Sequence, residues 1–350
     1  MAAPTLAEVA RSAGVSPATA SRVLNGSART PAPDIAERVR KAAESLGYSP
    51  NAQAQGLAKS SSGLIGLIVH DIADPYFSAI ARGVQAAARE EHKMVLLATT
   101  EGTPADELTA VAAFAARRAE SIVIAGSRST RLQDREGNAL LAGELDRYCR
   151  NGGRVGVVGH PVIGASAPEG YHVVVVPNED LAAELARELG AIHTGDFVII
   201  AGPDGILTSD DRVRGFQRGL ATAGLPPAEV VHTSFDRGGG HASGLKLAAR
   251  IKAASTAESE IPRLCIFAVN DVMAIGAAAA LRSEGLRIPQ DASIAGFDDI
   301  ETLRDFRPAL STVRLPLEEI GRLAAGRTGV DAASHVSGQV ALRTSTASTP

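Results

Sequence analysis

The chain has 350 residues, is 45% hydrophobic and 3% aromatic with no Trp, and carries a net charge of −4. That length fits a small domain plus a larger body, and a core built from Val, Leu, Ile and Ala favours α/β packing over a β-sandwich. The first 62 residues hold seven Lys/Arg against four Asp/Glu, net +3, leaving −7 for the rest; this suggests a head that meets a polyanion, although a solvated surface would look similar.

The start, "MAAPTLAEVARSAG", lacks a basic segment followed by an apolar run, and no stretch approaches the roughly 18 apolar residues of a membrane span. A cytoplasmic protein with no membrane partner is expected. "TLAE" reads as a capping box, Thr5 accepting from the third amide and Glu8 reaching back, with Leu6, Val9 and Ala10 on one apolar face up to Gly14. Ser16 is an N-cap and Pro17 suits the first helical position, so a second helix runs to about Asn25. Ala20, Val23 and Leu24 face inward and leave Pro17, Ala18, Ser21, Arg22 and Asn25 outside. Two such helices about a Gly turn read as helix-turn-helix. A third, from Pro33 to Leu46, places Ile35, Val39, Ala42 or Ala43 and Leu46 on one face, with Gly47 as its stop. A three-helix bundle that mediates protein contacts would show the same features. "NAQAQGLAKSSSG" has weak helix propensity and reads as a linker.

"TLAEVARSAGVSPATASRVLNG", "AAESLGYSPNAQAQGLA" and later body motifs resemble the lactose repressor (LacI/GalR) family of bacterial transcription regulators over nearly the whole chain. The resemblance makes Ser16 to Asn25 a recognition helix. Pro17, Ala18 and Arg22 then take base-reading positions, Ser16, Thr19, Ser21 and Asn25 lie nearer the phosphates, and Thr5 is also expected at DNA. Asn51 to Ala58 becomes a hinge helix with Asn51, Gln55 and Ala58 at DNA and Leu57 as a minor-groove wedge that folds on DNA. Three departures stand out: Gly56 weakens that helix, no Lys or Arg lies between Lys41 and Lys59, and Ala32 replaces a polar N-cap on the third helix. Arg22 can grip guanine O6 and N7 with both arms of its guanidinium.

From Gly63, apolar runs alternate with helical patterns: "LIGLIVHD", "MVLLATT", "SIVIAGS", "VGVVGH", "VVVVPN", "DFVIIAG", "VVHTSF", "LCIFAVN" and "SIAGFDD". Fully apolar strands between amphipathic helices mean parallel sheets covered on both faces, and the restart at "DFVIIAG" suggests a second similar unit. The resemblance makes these the two doubly wound lobes of a periplasmic-binding-protein-like body. It implies an all-α helix-turn-helix head over 1–49, a hinge and linker over 50–62, and a body over 63–350. Lobe 1 takes about 63–161 and 314–335, and lobe 2 about 162–313. Ligand would bind at the strand ends between them.

Polar and aromatic residues follow those strands: Asp71, Asp74, Tyr76 and Phe77, then Ser127, His160, Phe235 with Asp236, Asn270 with Asp271, and Asp298. Asn270, Asp298, Arg212 and Phe77 or Phe235 can supply the donors, acceptors and aromatic face that a sugar needs. In "SDDRVRGF" the resemblance puts Arg212 at the effector, with Arg214 as runner-up. Asp236, Asp271 and Asp298 could instead cap the helices that follow them, and Phe235 could be core.

Cys149 and Cys265 lie far apart with no nearby His at ligand spacing, so neither a disulfide framework nor a metal site is expected. There is no G-x-G-x-x-G after the first strand, no phosphate-binding G-x-x-x-x-G-K loop, no H-E-x-x-H and no G-x-S-x-G, which argues against an enzyme and against a nucleotide cofactor. The last 29 residues show no leucine heptads, so a homodimer rather than a tetramer is expected. The reading is a repressor of a pseudo-palindromic operator, released by a sugar; the alternatives are a nucleobase or nucleoside effector, an activator, or a cytoplasmic sugar-binding protein.

Overall fold

The computed structural model describes residues 4–25, 31–49, 62–166, 169–193, 195–255, 263–326 and 333–347. They divide into two compact units, residues 1–63 and 64–350.

In the first unit, α1 (Leu6–Ala13) opens with the full capping box: Glu8 N–H donates to Thr5 Oγ1 at 3.3 Å and Thr5 N–H donates to Glu8 Oε2 at 2.7 Å. Gly14, at φ +65°, turns the chain left-handed and ends the helix. α2 (Pro17–Asn25) follows, with Ser16 Oγ accepting from Thr19 N–H at 3.1 Å. α3 (Pro33–Ser45) starts with no side-chain cap at Ala32. Val9, Ala10, Ala20, Val39 and Ala43 form the core between them. One apolar expectation is corrected: Leu46 is 39% exposed, because the chain leaves the helix there, and Ala36 is buried instead.

In the second unit all nine expected strands form. The first sheet holds β1 (Leu64–Val69), β2 (Met94–Thr99), β3 (Ser121–Ala125), β4 (Arg154–Val158), β5 (Tyr171–Val175) and β11 (Ala333–His335). It is parallel throughout, in the order β11-β5-β4-β3-β1-β2. Packed with it are α4 (Pro75–Glu90), α5 (Pro104–Ala116), α6 (Arg135–Arg150) and α11 (Leu317–Ala325). The second sheet holds β6 (Phe197–Ala201), β7 (Glu229–His232), β8 (Leu264–Ala268) and β9 (Ala292–Ala295), parallel in the order β7-β6-β8-β9. Its helices are α7 (Asn178–Ile192), α8 (Leu207–Thr222), α9 (Arg237–Ser255) and α10 (Asp271–Ser283). Central strands β3, β6 and β8 are buried along their whole length, as sheets covered on both faces require.

The lobe boundary moves. β5 pairs with β4 in the first sheet, so the first lobe runs to about residue 175 rather than 161; an apolar strand does not announce which sheet it joins. The chain crosses to the second lobe at 176–178 and returns along 296–315. On the return, Asp298 N–H donates to Val313 O at 2.8 Å and Leu315 N–H to Asp298 O at 3.3 Å. β10 (Thr312–Arg314) pairs antiparallel with β12 (Gln339–Ala341). The tail then rejoins the second lobe, where Ser345 Oγ donates to Ile294 O at 2.6 Å.

Candidate functional site

On the head, α2 leaves Pro17, Ala18 and Arg22 exposed, while Ala20 is fully buried and Val23 and Leu24 pack on the core. The helix therefore presents a narrow outer face of small residues with one guanidinium, a shape that enters a major groove. Thr5 caps α1, and Ser16 and Thr19 share a hydrogen bond of 2.9 Å at the start of α2. The expected hinge contacts Asn51, Gln55, Leu57 and Ala58 lie outside the described residues, as does the side chain of Asn25.

In the body, a cavity of about 570 Å³ opens where the C-terminal ends of both sheets face each other. Of the residues expected at an effector, Asp71, Tyr76, Phe77, Ser127, Arg212, Phe235, Asn270 and Asp298 line it. His160 does not: its Nε2 sits 2.7 Å from Asp211 Oδ2, bridging the first lobe to α8. Arg214 is exposed and paired with Asp211 and Glu179, so of the two arginines only Arg212 faces the cavity.

Arg212 is 2% exposed and fixed from three sides. Nε donates to Asn178 Oδ1 at 2.9 Å, Nη1 to Val269 O at 2.7 Å and Nη2 to Asp298 Oδ1 at 2.8 Å. Its guanidinium lies 3.8 Å from the Phe297 ring centre. Three of five N–H groups are thus held, which orients the edge that lines the cavity. Asp298 adopts φ +117°, unusual for a residue with a Cβ, and the backbone pairing with Val313 maintains it. Burial pushes its carboxyl up, the Arg212 guanidinium pulls it back, and the balance lies at about 6.

The helix-capping alternatives resolve individually. Asn270 caps α10, its Oδ1 accepting from Met273 N–H at 2.8 Å. Asp271 is buried behind it, accepting from Thr312 Oγ1 at 2.7 Å and Ile300 N–H at 3.0 Å. Asp236 Oδ1 accepts from Gly239 N–H at 2.7 Å at the start of α9. Asp74 caps α4 through Tyr76 N–H at 2.9 Å, and burial raises its carboxyl. Burial likewise raises the Tyr76 phenol, which stays neutral. Tyr76 and Phe77 meet edge to face, ring centres 5.1 Å apart, and Phe235 closes the opposite lobe's side of the cavity.

Sequence reading missed His70, Asn178 and Thr208, which also line the cavity. His70 directly follows β1 in the quoted run "LIGLIVHD" and Asn178 ends "VVVVPN", so the strand-end signal was available. Thr208 sits inside a helix and gave none. Its N–H donates to Ser127 Oγ at 3.1 Å, and Leu207 N–H donates to Arg128 O at 2.9 Å, so the lobes touch beside the cavity. Behind that contact, Arg128 Nη2 donates to Glu107 Oε1 at 2.7 Å; burial opposes the Glu107 charge, but Arg128 and His70 hold the carboxyl down at about 2. Among the described residues no group of three or more His, Cys, Asp or Glu is placed to hold a metal, and no helix is long and apolar enough to cross a membrane.

Comparison with known proteins matches residues 5–51 to "Bacterial regulatory proteins, lacI family" and residues 187–328 to "Periplasmic binding protein-like domain". The HTH-type transcriptional regulator GalS of Salmonella typhimurium is 32% identical over 324 residues, covering 91% of this chain and 87% of the relative. The ribose operon repressor of Haemophilus influenzae is 30% identical over 322 residues, covering 91% and 89%. A lac repressor dimer bound to operator and the anti-inducer ONPF shares the fold, with a TM-score of 0.79 at 22% identity over 99% of this chain and 100% of that one. With a helix-turn-helix head, a two-lobed body and a relative 32% identical along nine-tenths of its length, this chain belongs to the lacI family of DNA-binding transcriptional regulators.

Proposed function

We propose that this regulator is a homodimeric, cytoplasmic repressor with no catalytic step, whose affinity for a pseudo-palindromic operator is controlled by a sugar bound between the lobes of its body. One observation carries the effector reading. A buried guanidinium, a carboxylate and an amide (Arg212, Asp298, Asn270) converge on one cavity with aromatic faces from both lobes (Phe77, Phe235). Vicinal hydroxyls accept from a planar fork and donate to a carboxylate, while the C–H face of a pyranose stacks on a ring. Ligand binding at the lobe junction biases their relative position, and differential affinity for the two positions is what changes operator affinity. On the head, Arg22, Pro17 and Ala18 read bases and the flanking hydroxyls hold phosphates.

The Tyr76–Phe77 pair facing Phe235 also suits a flat heterocycle, which keeps a nucleobase or nucleoside as the second reading. A thermal-shift screen of neutral sugars and nucleosides, followed by operator gel shifts with each hit, separates the two. A sugar that raises the melting temperature and releases operator supports the first reading; a nucleoside that does so replaces it.

A further inference from the structure

A second concavity of about 880 Å³ lies on the other side of the chain segment that walls the effector cavity. Five guanidinium groups line it: Arg82 from α4, Arg304 and Arg307 from the loop after β9, Arg314 from β10 and Arg343 after β12. Four carboxylates share the lining, and one of them, Glu319, is engaged by Arg322, which is not part of it. The other three are each divided or contested. Asp299 Oδ2 accepts from Arg314 Nε at 2.6 Å and from Arg343 Nη2 at 2.9 Å. Glu301 is met by Arg82 at 3.4 Å and Arg304 at 3.3 Å, and Arg82 Nε also donates to Glu318 at 2.9 Å. Among the described residues Arg307 meets only backbone, its Nη1 donating to the carbonyls of Arg304 and Phe306 at 2.9 Å. Five guanidiniums against four carboxylates leave the lining a positive surplus of one charge, contributed by planar forks that suit tetrahedral oxyanions.

We propose that this arginine-lined groove is a second ligand site, for a small phosphomonoester or similar dianion, distinct from the cavity between the lobes. An anionic phosphoryl group offsets the surplus and supplies acceptors to Arg304, Arg307 and the free edge of Arg82. The groove is also wired to the first cavity. Asp298 pairs with Arg212 in the cavity, its neighbour Asp299 pairs with Arg314 and Arg343 in the groove, and Ile300 lines both. Both aspartates hold positive φ, +117° and +55°, so an anion that draws the arginines off Asp299 acts on the segment that positions Asp298. This coupling rests on the effector reading of the cavity; the site itself does not.

The test titrates inorganic phosphate into the full-length protein by calorimetry at constant ionic strength, with potassium chloride as the control salt. Saturable binding of phosphate is expected, weakened at least tenfold in Arg304→Gln/Arg307→Gln and tightened in Glu318→Gln, with unchanged circular dichroism. Arg214→Gln, on the exposed face of α8, leaves it unaltered. Phosphate heats no larger than those of chloride, or an affinity that neither groove variant moves, would overturn the proposal. Failure of every sugar and nucleoside in the thermal-shift screen, with phosphate still bound, would remove the effector reading and leave this site standing.

Discussion

Arg212 Nη2 and Asp298 Oδ1 lie 2.8 Å apart, both side chains nearly fully buried, at the wall shared by the cavity and the crossover segment. The pair at once lines the cavity and, through the backbone of Asp298, belongs to the crossover segment. Removing the cation leaves a buried carboxylate without its partner, so Arg212→Ala is expected to cost about 3 kcal/mol or more of stability, with loss of effector response. Asp298→Asn keeps shape and a hydrogen-bond acceptor; it should retain operator binding but weaken the effector by about 2 kcal/mol. Urea unfolding and effector-dependent gel shifts read the two effects, and an Asp298→Asn protein released by the same effector concentration as the parent contradicts the assignment.

The buried aspartates set a pH dependence. Burial first, then the neighbouring Asp298 charge, pushes Asp271 up to about 8 against the lowering bonds from Thr312 and Ile300; Asp298 rises to about 6. Both ordinarily ionise near 3.8. Between that value and the raised ones the native state holds more protons than the unfolded chain, so stability declines as pH rises through this window. Glu107 acts oppositely, and only in acid: its value is lowered, so its contribution is lost as pH falls from 4.5 toward about 2. Urea midpoints between pH 4 and pH 9 should fall for the parent and flatten in Asp271→Asn. A parent profile rising through that range refutes the argument.

Two glycines let α4 and α11 touch backbone to backbone. A Cβ at Gly83 would lie 1.9 Å from Glu318 O, and one at Gly321 would lie 2.1 Å from Ile80 O. Because a carbonyl in a helix cannot step aside, Gly83→Ala and Gly321→Ala are each expected to destabilise the body by roughly 1–3 kcal/mol or more. Chemical denaturation measures this. Wild-type stability in both variants would show that the helices sit further apart.

On the head, Arg22→Ala should cost about 1–3 kcal/mol for the operator and little for random duplex, because base readout and phosphate contact are separable. Thr5→Ala removes half of the capping box and should cost about 1 kcal/mol of head stability. Equal losses on specific and random DNA for Arg22→Ala would move that residue from base edge to phosphate.

Local chemistry was legible without a structure wherever a residue acts on its neighbours in the chain. The Thr5–Glu8 box, Pro17 at the first turn of α2, the Gly14 stop and nine apolar strands each follow from contacts within a few residues, and all appear as read. The strand-end rule also brought seven of the eight effector residues it named to one cavity, since parallel strands of both lobes end on the same side, while Arg212, inside α8, was expected there only from the family resemblance. Tertiary structure decided the rest, because the deciding partner lay far along the chain. β5 joined the first sheet through β4 rather than the sheet that follows it. His160 was claimed by Asp211, 51 residues away, and so became a bridge between lobes instead of a wall of the cavity. Arg212 was separated from Arg214 only by which face of α8 turned toward Asn178 and Asp298. Whether an aspartate caps a helix, lines a cavity beside an arginine or staples the hinge depends on what folds over it, and Asp236, Asp298 and Asp271, alike as strand-end residues in sequence, took those three places respectively.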